Sequence, residues 1–253
     1  LTVYCAAFGD TPSKEQKFDA VVFYECFHHC LEQDSVLAKI VNRLNPNGLI
    51  LFAGECIYPD YPIPWGVRQD GHAVWAIRSY KWMELGFSED YFVLFMRRHG
   101  LTVEKYTCSD AGAFGVLFKA RLIPEGINYG RTLLTSQEKG FFPSEASDLI
   151  HTRFTDGSAL IQLPSSNTGN ARIELKNWLP TVLECCLKTK AGFEWHGGVQ
   201  PNCTVFIDVP LISDGYICEV RIESEALEPA SLGVNNDTRK LGISVGYIVF
   251  NNI

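Results

Sequence analysis

Long apolar runs are missing from this 253-residue sequence, and none approaches the roughly 20 residues that a membrane-spanning helix needs. No membrane span is therefore predicted. The opening LTVYCAAFGD also lacks the charged-then-apolar layout of a secretory signal peptide. The nine cysteines are odd in number and scattered, and no C-x-x-C pair occurs, which argues against a disulfide framework and a zinc ribbon. A reducing cytoplasm is the expected setting. Positive charge is scarce as well: 22 Lys and Arg stand against 29 Asp and Glu, for a formal charge of -7, with no dense basic block. Duplex nucleic acid is not an expected partner. Neither an internal repeat nor a low-complexity tract is evident.

What is present has the texture of a globular protein, 46% apolar and 20% charged, long enough for two modest domains. Up to Leu122 strands and helices alternate, the pattern of an α/β layer with a parallel sheet. Leu1 to Phe8 reads as a strand, and a chain that opens on Leu1 inside a strand reads as a fragment. Ala20 to Tyr24 reads as a strand buried on both faces. In DSVLAKIVNRL, Leu37, Ile40, Val41 and Leu44 fall on one helix face, with Asp34 as N-cap. The helix is expected to stop at Asn45-Pro46-Asn47-Gly48, before a buried strand, LILFAGE. Cys56 to Phe87, rich in Tyr, Trp and Pro, reads as a lid or substrate loop. Ser88-Glu89-Asp90 caps a helix to Arg98, with Gly100 at its exit, and LTVEKYTC and GVLFKARL follow as an antiparallel pair.

Past residue 122 helical periodicity nearly vanishes. SALIQLP, ARIELKNW, TVLECCLKT, CTVFIDVPL, YICEVRIES and ISVGYIVF recur as short strands between turn residues, at the spacing of an all-β sandwich. The expected fold is thus α/β plus all-β: a first domain over 1–122, a linker over 123–130 and a β-sandwich over 131–253.

The chemistry concentrates in FDAVVFYECFHHC, Phe18 to Cys30. In an open α/β sheet ligands gather at the carboxyl ends of strands, so Glu25 to His29 and Gly54-Glu55 should face one crevice. As metal ligands Cys26, His28, His29 and Cys30 crowd too closely to close a tetrahedral shell, and no second cluster offers partners, so no metal site is predicted. A histidine here has the pKa to take a proton from a hydroxyl near neutral pH. The alternative is that one histidine caps the following helix while the other packs beside Phe27.

FDAVVFYECFHHC, a helix and LNPNGLILFAGE together resemble class I S-adenosylmethionine-dependent methyltransferases, and PWGVRQDGHAVWAIRSYKWMELGFSEDYF resembles a bacterial subgroup that methylates sugars and surface polysaccharides. The resemblance covers about residues 1–122. It implies a partial Rossmann-like sheet and S-adenosylmethionine as cofactor. By position it places Asp10, with Thr11 beside it, at the adenine, and Glu25 and Cys26 at the methionine end. Glu55, Trp65, Arg68, Asp70 and His72 fall around the acceptor, and His28 or His29 is the base. Asp10 also reads as a turn or cap aspartate, Cys26 as small-residue packing, and the loop residues as ordinary surface.

The family's Gly-rich loop after its first strand and the acidic residue after its second are absent, and no G-x-G-x-x-G occurs. The resemblance therefore implies a sequence that enters the fold at its third strand and binds cofactor poorly unless a partner completes the sheet. A homo-oligomer through that open edge is expected. The tail resembles a β-sandwich module found beside enzymes of bacterial polysaccharide assembly, with Asp237, Arg239, Leu241 and Gly242 leading into the last strand. His151 stands where an aromatic would suit sugar stacking. Glu145, Arg153, Trp178 and Trp195 are candidates for a glycan surface, and Asp237 and Arg239 for a structural ion pair. Two functions follow as expectations: methyl transfer to a hydroxyl of a sugar or glycan, or a non-catalytic carbohydrate-recognition or assembly module.

Overall fold

The computed structural model describes residues 5–10, 15–107, 115–123, 126–145 and 152–251. The chain divides into two units, residues 1–124 and 125–253. In the first, strand β1 (Phe18–Tyr24) leads through a 3-10 turn (Phe27–His29) and helix α1 (Gln33–Val41) into strand β2 (Leu44–Ala53). β1 and β2 run parallel, with Val21 opposite Ile50 and Tyr24 opposite Ala53. Parallel neighbours need a crossover, and α1 provides it with Val36, Leu37 and Ile40 on its buried side.

Four local expectations are corrected here. Among the described residues 5–10 there is no strand, only irregular chain and a turn at Phe8 and Gly9. β1 is buried on one side only: Phe23 is inside, while Val22 and Tyr24 are 60% and 61% exposed, because β1 is the edge of its sheet. α1 begins after Glu32, so Asp34 lies in its first turn, where a carboxylate still faces the favourable end of the helix dipole. The Asn45–Gly48 turn is a bulge inside β2, since Phe18 pairs with Leu44 and Ala20 with Leu49, and Asn47 takes φ 63°.

The segment read as a lid is built structure. Strands β3 (Ile57–Tyr58) and β4 (Trp65–Val67), helix α2 (Gly71–Tyr80) and strand β5 (Leu85–Ser88) follow β2. The strands form a three-stranded sheet in the order β3-β5-β4. Its apolar residues explain the order: Ile57, Leu85 and Phe87 are buried. Helix α3 (Glu89–Arg98) starts where Ser88 Oγ accepts from Tyr91 N and ends at Gly100 with φ 72°. Strands β6 (Leu101–Thr107) and β7 (Val116–Leu122) then pair antiparallel. The main sheet is ordered β1-β2-β7-β6, with β2 and β7 antiparallel. Phe23, Phe27, Phe52, Phe92 and Phe118 form its aromatic core, with adjacent ring centroids 5.1 to 5.3 Å apart. Burying each ring contributes on the order of 1.5–3 kcal/mol.

In the second unit, strand β8 (Ile127–Asn128) lies within the segment read as a linker, and it pairs with the last strand. Next come β9 (Arg153–Phe154), β10 (Ser158–Pro164), β11 (Asn170–Lys176) and β12 (Leu183–Thr189). The chain continues through β13 (Glu194–Val199), β14 (Thr204–Pro210), β15 (Ile217–Ser224) and β16 (Ser244–Asn251). One antiparallel sheet is ordered β10-β15-β12-β13; the other is β14-β11-β16-β8, with β9 also on β16. Period-two alternation sends Ala159, Ile161 and Leu163 of β10, Ala171, Ile173 and Leu175 of β11, and Val220 and Ile222 of β15 into one hydrophobic cluster. Among the described residues no helix is long and apolar enough to cross a membrane.

Candidate functional site

Where β1 ends, Glu25 takes a left-handed backbone, φ 48°, held by a bond from its N–H to the Ala53 carbonyl at 3.0 Å. The chain then tightens into the 3-10 turn Phe27–His29, whose leading N–H groups need acceptors. The end of β2 supplies them. Glu55 Oε1 accepts from Cys26 N and Phe27 N at 2.9 Å each, and Oε2 accepts from His28 N at 3.1 Å. The same Oε2 lies 2.8 Å from His28 Nδ1, and the Glu55 side chain is 0% exposed.

Burial pushes the Glu55 carboxyl up, but the His28 ring and the N–H groups of Cys26 and Phe27 outweigh it and hold the group below its ordinary 4.5. An ionised carboxylate accepts from Nδ1, so in the neutral ring the lone pair is on Nε2. Nε2 stands 3.7 Å from Glu84 Oε2, just before β5. The His29 ring lies 4.2 Å from that of His28, and its Nδ1 is 2.6 Å from the Met83 carbonyl and 3.8 Å from Glu84 Oε1.

The far side of Glu84 faces Arg68, with Nη1 at 3.6 Å. Arg68 is held by Asp70 at 2.8 Å and by the Cys56 thiol at 2.8 Å. Burial pushes that thiol up, and pushes the neighbouring Tyr58 hydroxyl up to about 12. Trp82, 46% exposed, sits 5.0 Å from the His29 ring, and Tyr80 lies 4.8 Å beyond it.

His28, His29, Glu55, Arg68 and Asp70, named from the sequence, thus fall in one chain of contacts. Glu55 does not line an open acceptor pocket: its oxygens are taken by the turn above it, which makes it a positioning residue. Asp70 is the N-cap of α2, accepting from Ala73 N at 3.0 Å. His72 is exposed in the first turn of α2, and Trp65 is exposed on β4 opposite Phe87. Asp10 and Cys26 line one open depression of about 520 Å³ beside β1, together with Phe8, Val21 and Ile40. Asp10 is also paired with Lys39 at 3.1 Å. The Glu25 side chain is exposed, and Thr11 lies outside the described residues.

Glu84 was not named from the sequence. Its signal was there: one acid inside the apolar stretch Trp82-Met83-Glu84-Leu85-Gly86-Phe87, and a carboxylate in such a setting is buried only with partners.

In the second unit the candidate glycan residues are tied into structure. Asp237 and Arg239 pair at 3.0 Å, with Glu145 on the same guanidinium. Arg153 donates to the carbonyls of Phe142 and Thr132. Trp178 Nε1 donates to Ser244 Oγ at 2.9 Å, and Trp195 packs against the core. His151 lies outside the described residues.

A family model described as a methyltransferase domain matches residues 1–52, the segment that holds β1, the 3-10 turn and most of β2. No curated protein matches the chain. Among solved structures, an O-methyltransferase family protein from Burkholderia thailandensis is similar at 16% identity and a TM-score of 0.34, covering 43% of this chain and 31% of its own. A Haloferax volcanii complex of the Trm112 methyltransferase activator with a putative methyltransferase gives 18%, 0.35, 47% and 60%. The B. thailandensis 1,6-didemethyltoxoflavin-N1-methyltransferase, solved with 1,6-didemethyltoxoflavin and S-adenosylhomocysteine, gives 18%, 0.32, 47% and 49%. This chain therefore spans about a third to three-fifths of their lengths.

Proposed function

We propose that this chain takes part in methyl transfer from S-adenosylmethionine to a hydroxyl of a sugar or glycan. One observation carries the reading: in the segment that matches a methyltransferase domain, the turn after β1 holds a histidine oriented by a buried, ionised glutamate, beside the depression that Asp10 and Cys26 line. In this reading the depression takes the cofactor, with Asp10 and Thr11 toward the adenine and Glu25 and Cys26 toward the methionine end. Trp65, Arg68, Asp70 and His72 belong to the acceptor side, and a β-sandwich second unit is the accessory part. The setting is the cytoplasm of a bacterium, and the open edge of β1 is where a second copy would pair.

The chemistry is an in-line displacement. The acceptor oxygen forms a bond to the methyl carbon as the carbon–sulfur bond breaks, and S-adenosylhomocysteine leaves with the electron pair. Holding oxygen and carbon in register supplies most of the rate. His28 or His29 receives the acceptor's proton; Nε2 of His28 is the nitrogen that the Glu55 contact leaves open for it.

Calorimetry with S-adenosylmethionine on this chain, and on a version extended upstream, tests the reading. Binding by either form supports it, and binding by neither sinks it. With an active form, His28→Ala should lose at least about a hundredfold in turnover with cofactor affinity intact, in line with the usual worth of a general base. A second reading is a non-catalytic carbohydrate-recognition or assembly module, in which the second unit does the work. It predicts glycan binding that survives His28→Ala.

A further inference from the structure

The spacing within Phe18 to Cys30 speaks against a metal site because its cysteines and histidines crowd and lack a distant partner. The fold brings that partner: His28, His29 and Glu84 each place a ligand atom within 4.8 Å of the others. We propose that these three side chains bind one divalent first-row transition ion, such as Zn²⁺, through Nε2 of His28, one ring nitrogen of His29 and the Glu84 carboxylate.

Three features of the cluster support this. The first is distance. His28 Nε2 to Glu84 Oε2 is 3.7 Å, too long for a hydrogen bond; His29 Nδ1 donates to the Met83 carbonyl, which leaves Nε2 of the His29 ring as its ligand atom. Ligands on a tetrahedral ion with bonds of about 2.0–2.1 Å stand roughly 3.3–3.4 Å apart, so the His28–Glu84 pair is a few tenths of an ångström from that spacing and the His29 ring lies alongside to complete the set. The second is orientation. Glu55 fixes His28 with its lone pair at Nε2, the carboxylate–histidine support that holds metal-binding imidazoles elsewhere. The third is charge. The carboxylates of Glu55, Glu84 and Asp70 against the single guanidinium of Arg68 leave two net negative charges when the imidazoles are neutral, which matches a dication. Two imidazoles and a carboxylate are a donor set for transition ions and not for Mg²⁺ or Ca²⁺.

The inference deepens the methyl-transfer reading and rests on it only for what the ion would do. Three protein ligands leave a position open for the acceptor oxygen. There the ion would make the hydroxyl more acidic, while in the ion-free protein the same nitrogen of His28 takes the proton.

The test is calorimetry with ZnCl₂ on the full chain freed of metal, without S-adenosylmethionine or acceptor, so that it stands or falls separately from methyl transfer. One Zn²⁺ per chain is expected, with affinity falling at least about tenfold in Glu84→Gln and in His29→Ala. Visible absorption on Co²⁺ loading gives a second readout, with ligand-field bands lost in both variants. His29→Ala, at a partly exposed position, keeps the test open if Glu84→Gln fails to fold. A His196→Ala control is needed because Cys186, Glu194 and His196 form a second cluster of potential ligands. Zn²⁺ binding that vanishes in His196→Ala and persists in His29→Ala would overturn the proposal, as would no binding to the unaltered chain.

Discussion

Glu55 in the first unit and Glu138 in the second are both buried acids with their oxygens taken, yet their partners differ in kind. Glu138 accepts from the Tyr129 hydroxyl at 2.7 Å, Gln162 N at 2.9 Å and Thr135 N at 2.8 Å. The result is a plug that fastens the chain before β10 onto that strand. Glu55 spends the same capacity on three backbone N–H groups and one imidazole. The imidazole has a second nitrogen, and the orientation it receives from Glu55 is passed on to that nitrogen. The difference teaches that burial of an acid is not by itself a functional sign; what matters is whether the acid orders a group that can still do chemistry.

The largest effect should come from alanine at either acid. Glu55→Ala and Glu138→Ala each orphan buried donors and should cost about 3–5 kcal/mol in urea unfolding. The comparison breaks if they cannot be told apart by the His28 ring resonances, which only Glu55→Ala should move. Glutamine substitutions should be milder, about 1–3 kcal/mol, because one oxygen still accepts. In Glu55→Gln the His28 ring should reorient, read as a changed ring-nitrogen chemical shift.

A pH series sharpens the contrast further. The folded Glu55 carboxyl sits below its ordinary 4.5, so the unfolded chain takes up the proton first as the solution is acidified. Its contribution is complete above about 4.5 and fades as pH falls through the lower folded value. Unfolding curves collected from pH 6 to pH 3 should show the native protein losing stability faster than Glu55→Gln, and parallel curves would contradict the assignment. The smallest effect belongs to Asp70, an acid with similar partners but half in water. Asp70→Ala should cost about 1 kcal/mol, the usual worth of an N-cap, measured as a shift in the thermal midpoint.

Much of the architecture was legible in the sequence for local reasons. SALIQLP is β10 to the residue, because period-two alternation between turn residues leaves little choice of register. Ser88 caps α3 as the Ser-Glu-Asp signal suggests. The exposed side of β1 was not legible: Ala20-Val21-Val22-Phe23-Tyr24 is as apolar as a central strand, and edge or centre is decided by neighbours far along the chain. In the same way β3, β4 and β5 are too short to carry a period, so an aromatic-rich sheet read as a loop. At the site, His28, His29 and Glu55 were legible from strand ends. Glu84 was marked only as an acid in an apolar stretch; that it meets His28 from 56 positions away was not legible, because only packing brings the two together.

Glu55 reaches the turn it supports from the neighbouring strand, across a crossover helix and 27 to 29 positions of chain. A slip of one residue in the pairing of β1 with β2 would carry its carboxylate about 3.3 Å along the strand and strip the turn of its acceptors. The orientation of the His28 ring is therefore a gauge of strand register. During refolding it should reach its native state only when β1 and β2 have closed on each other, which makes a single imidazole signal a clock for that pairing.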